Sequence, residues 1–493
     1  MAESKLFDHS RMPFLESLVT EKNRHQVSFH MPGHKGTMAL HPLLDDYIGH
    51  EIYKADLVEI NGIIDYLHAP KGTLKEAQQM AADAYGADET FFLINGSTVG
   101  NEGAIMSVSG AGQKVIMTRA SHRSVYGGVV LSGATPIYIE PEYHPQIGFP
   151  LAVRAEIVEQ LFAEHDDIAA IHITSPNYYG VQSDTAKIAE IAHQHGAVLI
   201  VDEAHGSHLN FHEHLPQSAT RLGADLIIQS THKTQGALTQ ASMLHLNRSE
   251  RVNVARVGQV LSLLQTSSPS SPLLATLDFA RMQMATEGQA RLSEVLSLCE
   301  MARNAIRQMA GLWCYGDDLV GEYGIHAVDP TKLIVRVMDA GYTGFEAYRI
   351  LRDEYGIDGE FADLRQVIFS VTIGDKQETI DTLLQGLQAL SDNRREALIV
   401  QDEVAPPAQL PRLHITPQEA YFAPSRLVSA SEAVGQIVAE NIIPYPPGIP
   451  LLVPGEQLEQ HHLDYLAYIV SKGGNVVGME DASLQQIRIV VDG

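Results

Sequence analysis

Two short apolar runs, each with a polar tail, constrain this chain more than any other feature. Residues 198–201 (VLIV) and 226–228 (LII) have the composition of β-strands. Each stops at polar, chemically capable residues. Asp202, Glu203 and His205 come after the first, and Ser230, Thr231, His232 and Lys233 after the second. In an open α/β sheet, ligands sit beyond the carboxyl ends of the strands. Asp202 and Lys233 are therefore expected to converge on one ligand.

The flanking sequence repeats the same alternation. Strands are expected at 91–94, 114–117, 136–139, 168–173 and 237–245, with helices over 73–85, 152–165 and 183–195 and at the turns after 95 and 122. Repeated βαβ units imply a mostly parallel sheet with helices on both faces. A helix is expected over 11–22 and a long one over 273–308. Residues 331–391 read as a small α/β unit, and the Pro-punctuated stretch 392–415 reads as a linker. The domains are thus expected as 1–30, an N-terminal segment; 31–325, the major domain; 326–395, a small α/β domain; and 396–493, a C-terminal domain.

Charge narrows the function. The net charge of −26 lacks the basic footprint needed for nucleic acid or an anionic membrane. It suits a cationic small molecule, or simply a soluble coat. The two cysteines, Cys299 and Cys314, make no disulfide framework. No apolar run is long enough to span a bilayer, and the first residues carry no signal-peptide core, so a cytoplasmic protein is expected.

A lysine and an aspartate at neighbouring strand ends suit pyridoxal 5′-phosphate (PLP). The lysine takes the aldehyde and the carboxylate faces the pyridine nitrogen. Ser97 and Thr98, in a Gly-Ser-Thr turn opening a helix, offer hydroxyls and free N–H groups to a phosphate. Plain N-capping is the simpler alternative there. Ser230 and His232 are placed to share the phosphate, and His122, ahead of its own helix, to stack on the ring. A rival cluster is His205, His208, His212 and His214 beside Asp202. Its spacing matches no zinc pattern, and no metal is assigned. The loop 30–37 (HMPGHKGT) carries His30, His34 and Lys35, and on spacing alone it is a surface turn.

At these residues the chain resembles the short-form Orn/Lys/Arg decarboxylases, basic amino acid decarboxylases of PLP fold type I. The matching segments are FHMPGHKGT (29–37), LHAPKGTLKEAQ (67–78), NGSTVGNEGAI (95–105), VDEAHGSHLNFH (201–212), QSTHKTQGALTQAS (229–242), QTSSPSSPLLATLD (265–278) and YPPGIPLLVPGE (445–456). The resemblance implies an α/β fold with a seven-stranded type of sheet, plus small and C-terminal domains. It makes Lys233 the Schiff-base lysine, Asp202 the partner of the ring nitrogen, and His122 the stacking group. Ala204 and His205 would lie at the ring. Ser97, Thr98, Ser230 and His232 would hold the phosphate, with Thr266 reaching it from a partner subunit. Glu456, His34 and Asp65 are the expected substrate contacts. Tyr66 departs from the second acid that relatives carry beside Asp65.

The activity that the resemblance implies is decarboxylation of a basic L-amino acid, with arginine to agmatine, in polyamine biosynthesis, as the leading reading. Lysine and ornithine remain open. The competing activities are another fold type I enzyme, such as an aminotransferase or aldolase, and a non-catalytic regulatory paralogue. The expected assembly is a homodimer or larger, with sites at the subunit interface.

Overall fold

The computed structural model describes residues 7–24, 27–59, 64–144, 147–398, 407, 409–445 and 448–491. Residues 399–406 and 408 of the expected linker 392–415 lie outside these residues.

Seven strands form the central sheet: β1 (Glu89–Leu93), β2 (Lys114–Thr118), β3 (Thr135–Ile139), β4 (Ile168–Thr174), β5 (Val198–Asp202), β6 (Leu226–Gln229) and β7 (Ser242–Leu246). Their order across the sheet is β1-β7-β6-β5-β4-β2-β3. From β3 to β6 every neighbouring pair is parallel, and β7 runs antiparallel between β6 and β1. Side chains alternate between the faces. Val198, Ile200, Leu226 and Ile228 enter one core, and Leu199, Val201 and Ile227 enter the other. A strand covered by helices on both faces has no polar side, which is why these runs are apolar throughout.

The helix Gly96–Val108 lies hard against this sheet. A Cβ on its Gly100 would sit 2.8 Å from Cγ2 of Ile228. Only glycine allows that approach, which brings the helix N-terminus over the end of β6. The strand expected at 237–245 begins only at Ser242. Residues 238–241 instead make a turn closed by Ala241 N–H to the Leu238 carbonyl, with Gln240 at φ 80°. Leu238, within the expected strand range, is 50% exposed.

The 37-residue helix Ser271–Arg307 ties the parts together. Near its start, Asp278 accepts the Phe14 and Leu15 N–H groups at 2.9 and 3.3 Å, capping the N-terminal helix Pro13–Lys22 from another segment. Near its end, Val295, Cys299, Ala302 and Ile306 pack on the small sheet. That four-stranded antiparallel sheet joins Phe361–Ala362, Gln366–Ser370, Lys332–Arg336 and Trp313–Cys314. The expected boundary at 325/326 is therefore crossed in both directions. Trp313–Cys314 belongs to the small sheet, while Ala327–Val328 pairs back with Val181–Gln182. The C-terminal part is built on two ribbons, Ser425–Ser429 with Gln486–Val490 and Ile443–Tyr445 with Asn475–Val477.

Candidate active site

Asp202 ends β5, with its neighbours in register at Thr174 of β4 and Ile228 of β6. Its Oδ2 accepts from Asn101 Nδ2 at 2.8 Å, and its Oδ1 from the Ala204 N–H at 3.0 Å. Asn101 sits on the helix Gly96–Val108 and also donates to Ser124 Oγ at 2.9 Å. Its Oδ1 accepts from His172 Nε2 at 3.2 Å. His172 is fully buried, and burial pushes its pKa down to about 4, so it stays a neutral donor. This network holds the Asp202 carboxylate in one orientation.

Lys233 lies on the single helical turn Thr231–Thr234, just beyond β6, with Ser230 as N-cap. Its ammonium is held below the ordinary lysine value by burial; Asp202 opposes this shift and Lys332 reinforces it. Its Nζ is 3.1 Å from His205 Nε2. His122 caps the helix Arg123–Ser132, its Nδ1 accepting from the Ser124 N–H and, at 2.8 Å, from Ser124 Oγ. Burial lowers its pKa too.

Three hydroxyls meet at the N-terminus of Gly96–Val108. Ser97 Oγ is 2.7 Å from Ser230 Oγ and 3.2 Å from Ser242 Oγ. Thr98 is exposed on the same turn. His232 donates from Nδ1 to the Ala241 carbonyl at 2.8 Å, which leaves Nε2 as its second nitrogen. Hydroxyls at a helix N-terminus suit a phosphate.

Lys233, His205 and His122 line a cavity of about 430 Å³. Glu360 and Phe361 come to it from the small domain, and Ile443, Tyr445, Gly448 and Val477 from the C-terminal part. Arg123 and Tyr178 complete the wall, and the buried Tyr178 hydroxyl has no partner among the described residues. A larger cavity of about 530 Å³ on the small domain shares only Glu360 with this wall. A lysine of depressed basicity and an unpaired phenol on one cavity wall, with an oriented carboxylate and a hydroxyl nest at the neighbouring strand and helix ends, fit PLP.

Three expected substrate contacts are placed otherwise. Glu456 is fully buried, and both its carboxylate oxygens are taken by Arg119, at 2.6 and 2.7 Å. Asp65 spends its carboxylate on the N–H groups of Lys71, Gly72, Leu74 and Lys75, capping the helix Thr73–Tyr85. His34 bridges Asp56 at 3.2 Å and the Gly36 N–H, and does not line the cavity. Thr266 is exposed, its Oγ1 accepting from the Ser268 N–H. The histidine tract disperses: His208 pairs with Asp329 at 3.2 Å and His212 with Ser293 at 3.0 Å.

Sequence reasoning did not find Asn101, His172, Ser242, Tyr178, Lys332 or Glu360. Asn101 had a signal, since it lies one helical turn beyond Ser97 on the phosphate helix. Tyr178 had one too, in the SPNYYG loop that ends β4.

Comparison with known proteins decides the family. The model for the Orn/Lys/Arg decarboxylase major domain matches residues 12–379, and that for its C-terminal domain matches residues 401–481. The chain belongs to the Orn/Lys/Arg decarboxylase family. This decarboxylase is 38% identical over 482 residues to an arginine decarboxylase of Bacillus anthracis, covering 97% of both chains. It is 38% identical over 480 residues to that of Bacillus subtilis, again covering 97% of both. Among solved structures, the constitutive lysine decarboxylase of Escherichia coli superposes with a TM-score of 0.84 at 20% identity, over 98% of this chain and 82% of that one. The decarboxylase is thus a PLP enzyme of fold type I.

The network around Asp202 makes two expectations concrete. Asn101→Ala removes the side-chain donor to the Asp202 carboxylate. A hydrogen bond to a charged group is worth about 1.5–3 kcal/mol, so the turnover rate should fall roughly tenfold to a hundredfold with the fold intact. Steady-state kinetics beside far-UV circular dichroism checks this.

The second concerns acid. The pKa of His172 lies below its unfolded value of about 6.5, so the unfolded chain binds the extra proton first. Its contribution to stability is present above pH 6.5 and is lost as pH falls toward 4. Between pH 6.5 and 5 the loss should be about 2 kcal/mol, and His172→Gln should flatten it in urea titrations at the two pH values.

Proposed function

We propose that this enzyme decarboxylates L-arginine to agmatine, feeding polyamine synthesis in the cytoplasm, as a homodimer or larger assembly with sites at the subunit interface. The observation that carries the chemistry is that Lys233, which lines the cavity, feels the charge of the oriented Asp202 carboxylate at the end of the adjacent strand. The substrate assignment draws on the arginine decarboxylases that this chain matches along nearly its whole length.

When bound, PLP supplies an acceptor for the electron pair left on Cα as CO2 departs. Lys233 would hold it covalently, and Asp202 would keep a proton on its ring nitrogen. His122 would cover its face. Ser97, Thr98, Ser230, His232 and the partner subunit's Thr266 would bind its phosphate. Tyr178 offers an unspent hydroxyl at the wall. Phe361, Ile443 and Val477 would give the reacting carbon an apolar wall.

For the distal cation, Glu360 replaces Glu456. It lines the cavity, is exposed, and acts electrostatically on both Lys233 and Lys332. A carboxylate there can accept a guanidinium bidentately. The dimer reading rests on the N-terminal region. Val27, Phe29, Leu43 and Tyr47 are 85%, 93%, 75% and 84% exposed, and the helix Pro42–Ile48 buries none of its residues. So much exposed apolar surface suits a second copy.

The test is to incubate the holoenzyme separately with arginine, lysine and ornithine and identify the products by mass spectrometry. Agmatine with CO2, formed fastest, supports the reading. Cadaverine or putrescine as the main amine moves the substrate, and a keto acid overturns the decarboxylase assignment.

A further inference from the structure

Lys332 is a second buried lysine at this site, with no part in holding the cofactor or the substrate. It lies on the small-domain strand Lys332–Arg336, is 2% exposed, and makes no ion pair among the described residues. Its ammonium donates to Ser370 Oγ and, at 3.3 Å, to His205 Nδ1. The other nitrogen of that ring, Nε2, is 3.1 Å from Lys233 Nζ. One buried imidazole thus bridges two lysines, one from each domain. The stem of Lys332 is boxed in, because a Cβ on Gly180 would lie 2.9 Å from its Cγ.

Protonation states follow from donor and acceptor counts. An ammonium has only donors, so Lys332 requires a bare Nδ1 on His205. Burial, Lys233 and Lys332 push the His205 pKa well below its ordinary value, so the ring is neutral and its one proton sits on Nε2. An Nε2–H aimed at Lys233 is accepted only by a nitrogen with a free lone pair. Around the trio, Asp202 and Glu360 favour a proton on Lys233, and burial and Lys332 oppose one. Burial lowers the Lys332 pKa as well, and Glu360 and Asp329 oppose that shift and favour its charge. His122 and His208 face His205 and disfavour a charge on it.

We propose that Lys332 is a positioning residue that fixes His205 as the Nε2–H tautomer and thereby keeps the nitrogen of Lys233 unprotonated and reactive. This rests on the reading of Lys233 as the covalent lysine. A failure of that reading shows separately, as covalent cofactor retention in Lys233→Ala.

The test titrates the visible absorbance of the holoenzyme, whose band changes when the Lys233 nitrogen gains a proton. Lys332→Met removes the opposing charge, and the midpoint should rise by about one pH unit. Lys332→Arg keeps the charge and should restore the wild-type midpoint. A folded Lys332→Met enzyme with an unmoved midpoint overturns the proposal. Wild-type holoenzyme labelled with 15N-histidine decides the matter even where the variant does not fold, with His205 assigned by its loss in His205→Asn. A proton on Nε2 and none on Nδ1 supports the proposal, and a proton on Nδ1 overturns it.

Discussion

Replacing Lys233 with alanine is expected to cut decarboxylation by about four to six orders of magnitude, the scale on which enzymes lose rate when their covalent group is removed. No other amine can stand in. Lys332 lies across the His205 ring and is held by Ser370 and His205. The turn that carries Lys233 is anchored by its buried residues Thr231 and Thr234, so the fold should survive the substitution. Removing a buried amine also relieves a desolvation cost, so the variant should be at least as stable as wild type. Two measurements check this. Product formation should vanish, and borohydride reduction followed by intact-mass analysis should find cofactor retained on wild type and absent from the variant. Turnover within tenfold of wild type would remove Lys233 from the chemistry and leave the cavity without a covalent group.

The pairing of Asp202 with Lys233 was legible because two constraints coincide at their positions. The strands are buried on both faces, which makes their sequence apolar to the last residue, and the first polar residue after such a run marks the carboxyl edge where ligands bind. The hydroxyl nest was legible for a similar reason, as a turn at the start of a helix. The distal end of the pocket was not. A carboxylate in a sequence does not say which partner it takes, and Asp65 and Glu456 both turn out to be spent on the protein itself. Asp65 satisfies four backbone N–H groups, and Glu456 satisfies an arginine 337 positions away. Glu360 and Tyr445 reach the cavity, and Lys332 reaches the His205 ring, from segments separated from β5 and β6 by other elements. Each lies in a stretch whose local pattern shows only a strand or a turn. The expected domain boundary failed on the same ground, because strand pairing across it is set by tertiary contact rather than by local composition.

Glu456→Ala is expected to cost about 3–5 kcal/mol, as for one member of a fully buried ion pair. Arg119 and Glu456 are 4% and 0% exposed at their side chains. The guanidinium lies 4.8 Å from the Tyr138 ring centroid and donates to the Leu451 carbonyl at 2.8 Å, so it has no route to water when its partner goes. The Val453 N–H loses its acceptor in the same step. The damage should be local to the C-terminal part, because this pair fastens residues 451–456 to the end of β2. Residues 443, 445, 448 and 477, which wall the cavity, are carried by that part. Hydrogen exchange should therefore accelerate across 425–490 and leave β4 to β6 protected. Urea denaturation should shift to lower midpoint, and KM should rise for every basic amino acid alike, since the wall loosens for all of them. If Glu456 instead met the distal cation of the substrate, alanine there would leave stability near wild type and selectively weaken arginine. The double variant Arg119→Met/Glu456→Leu separates the two readings. It removes both charges together, so it should recover most of the lost stability. Recovery of stability with basic amino acid turnover retained places Glu456 in the frame of the cavity, and stability retained in the single variant with arginine preference lost places it in the pocket.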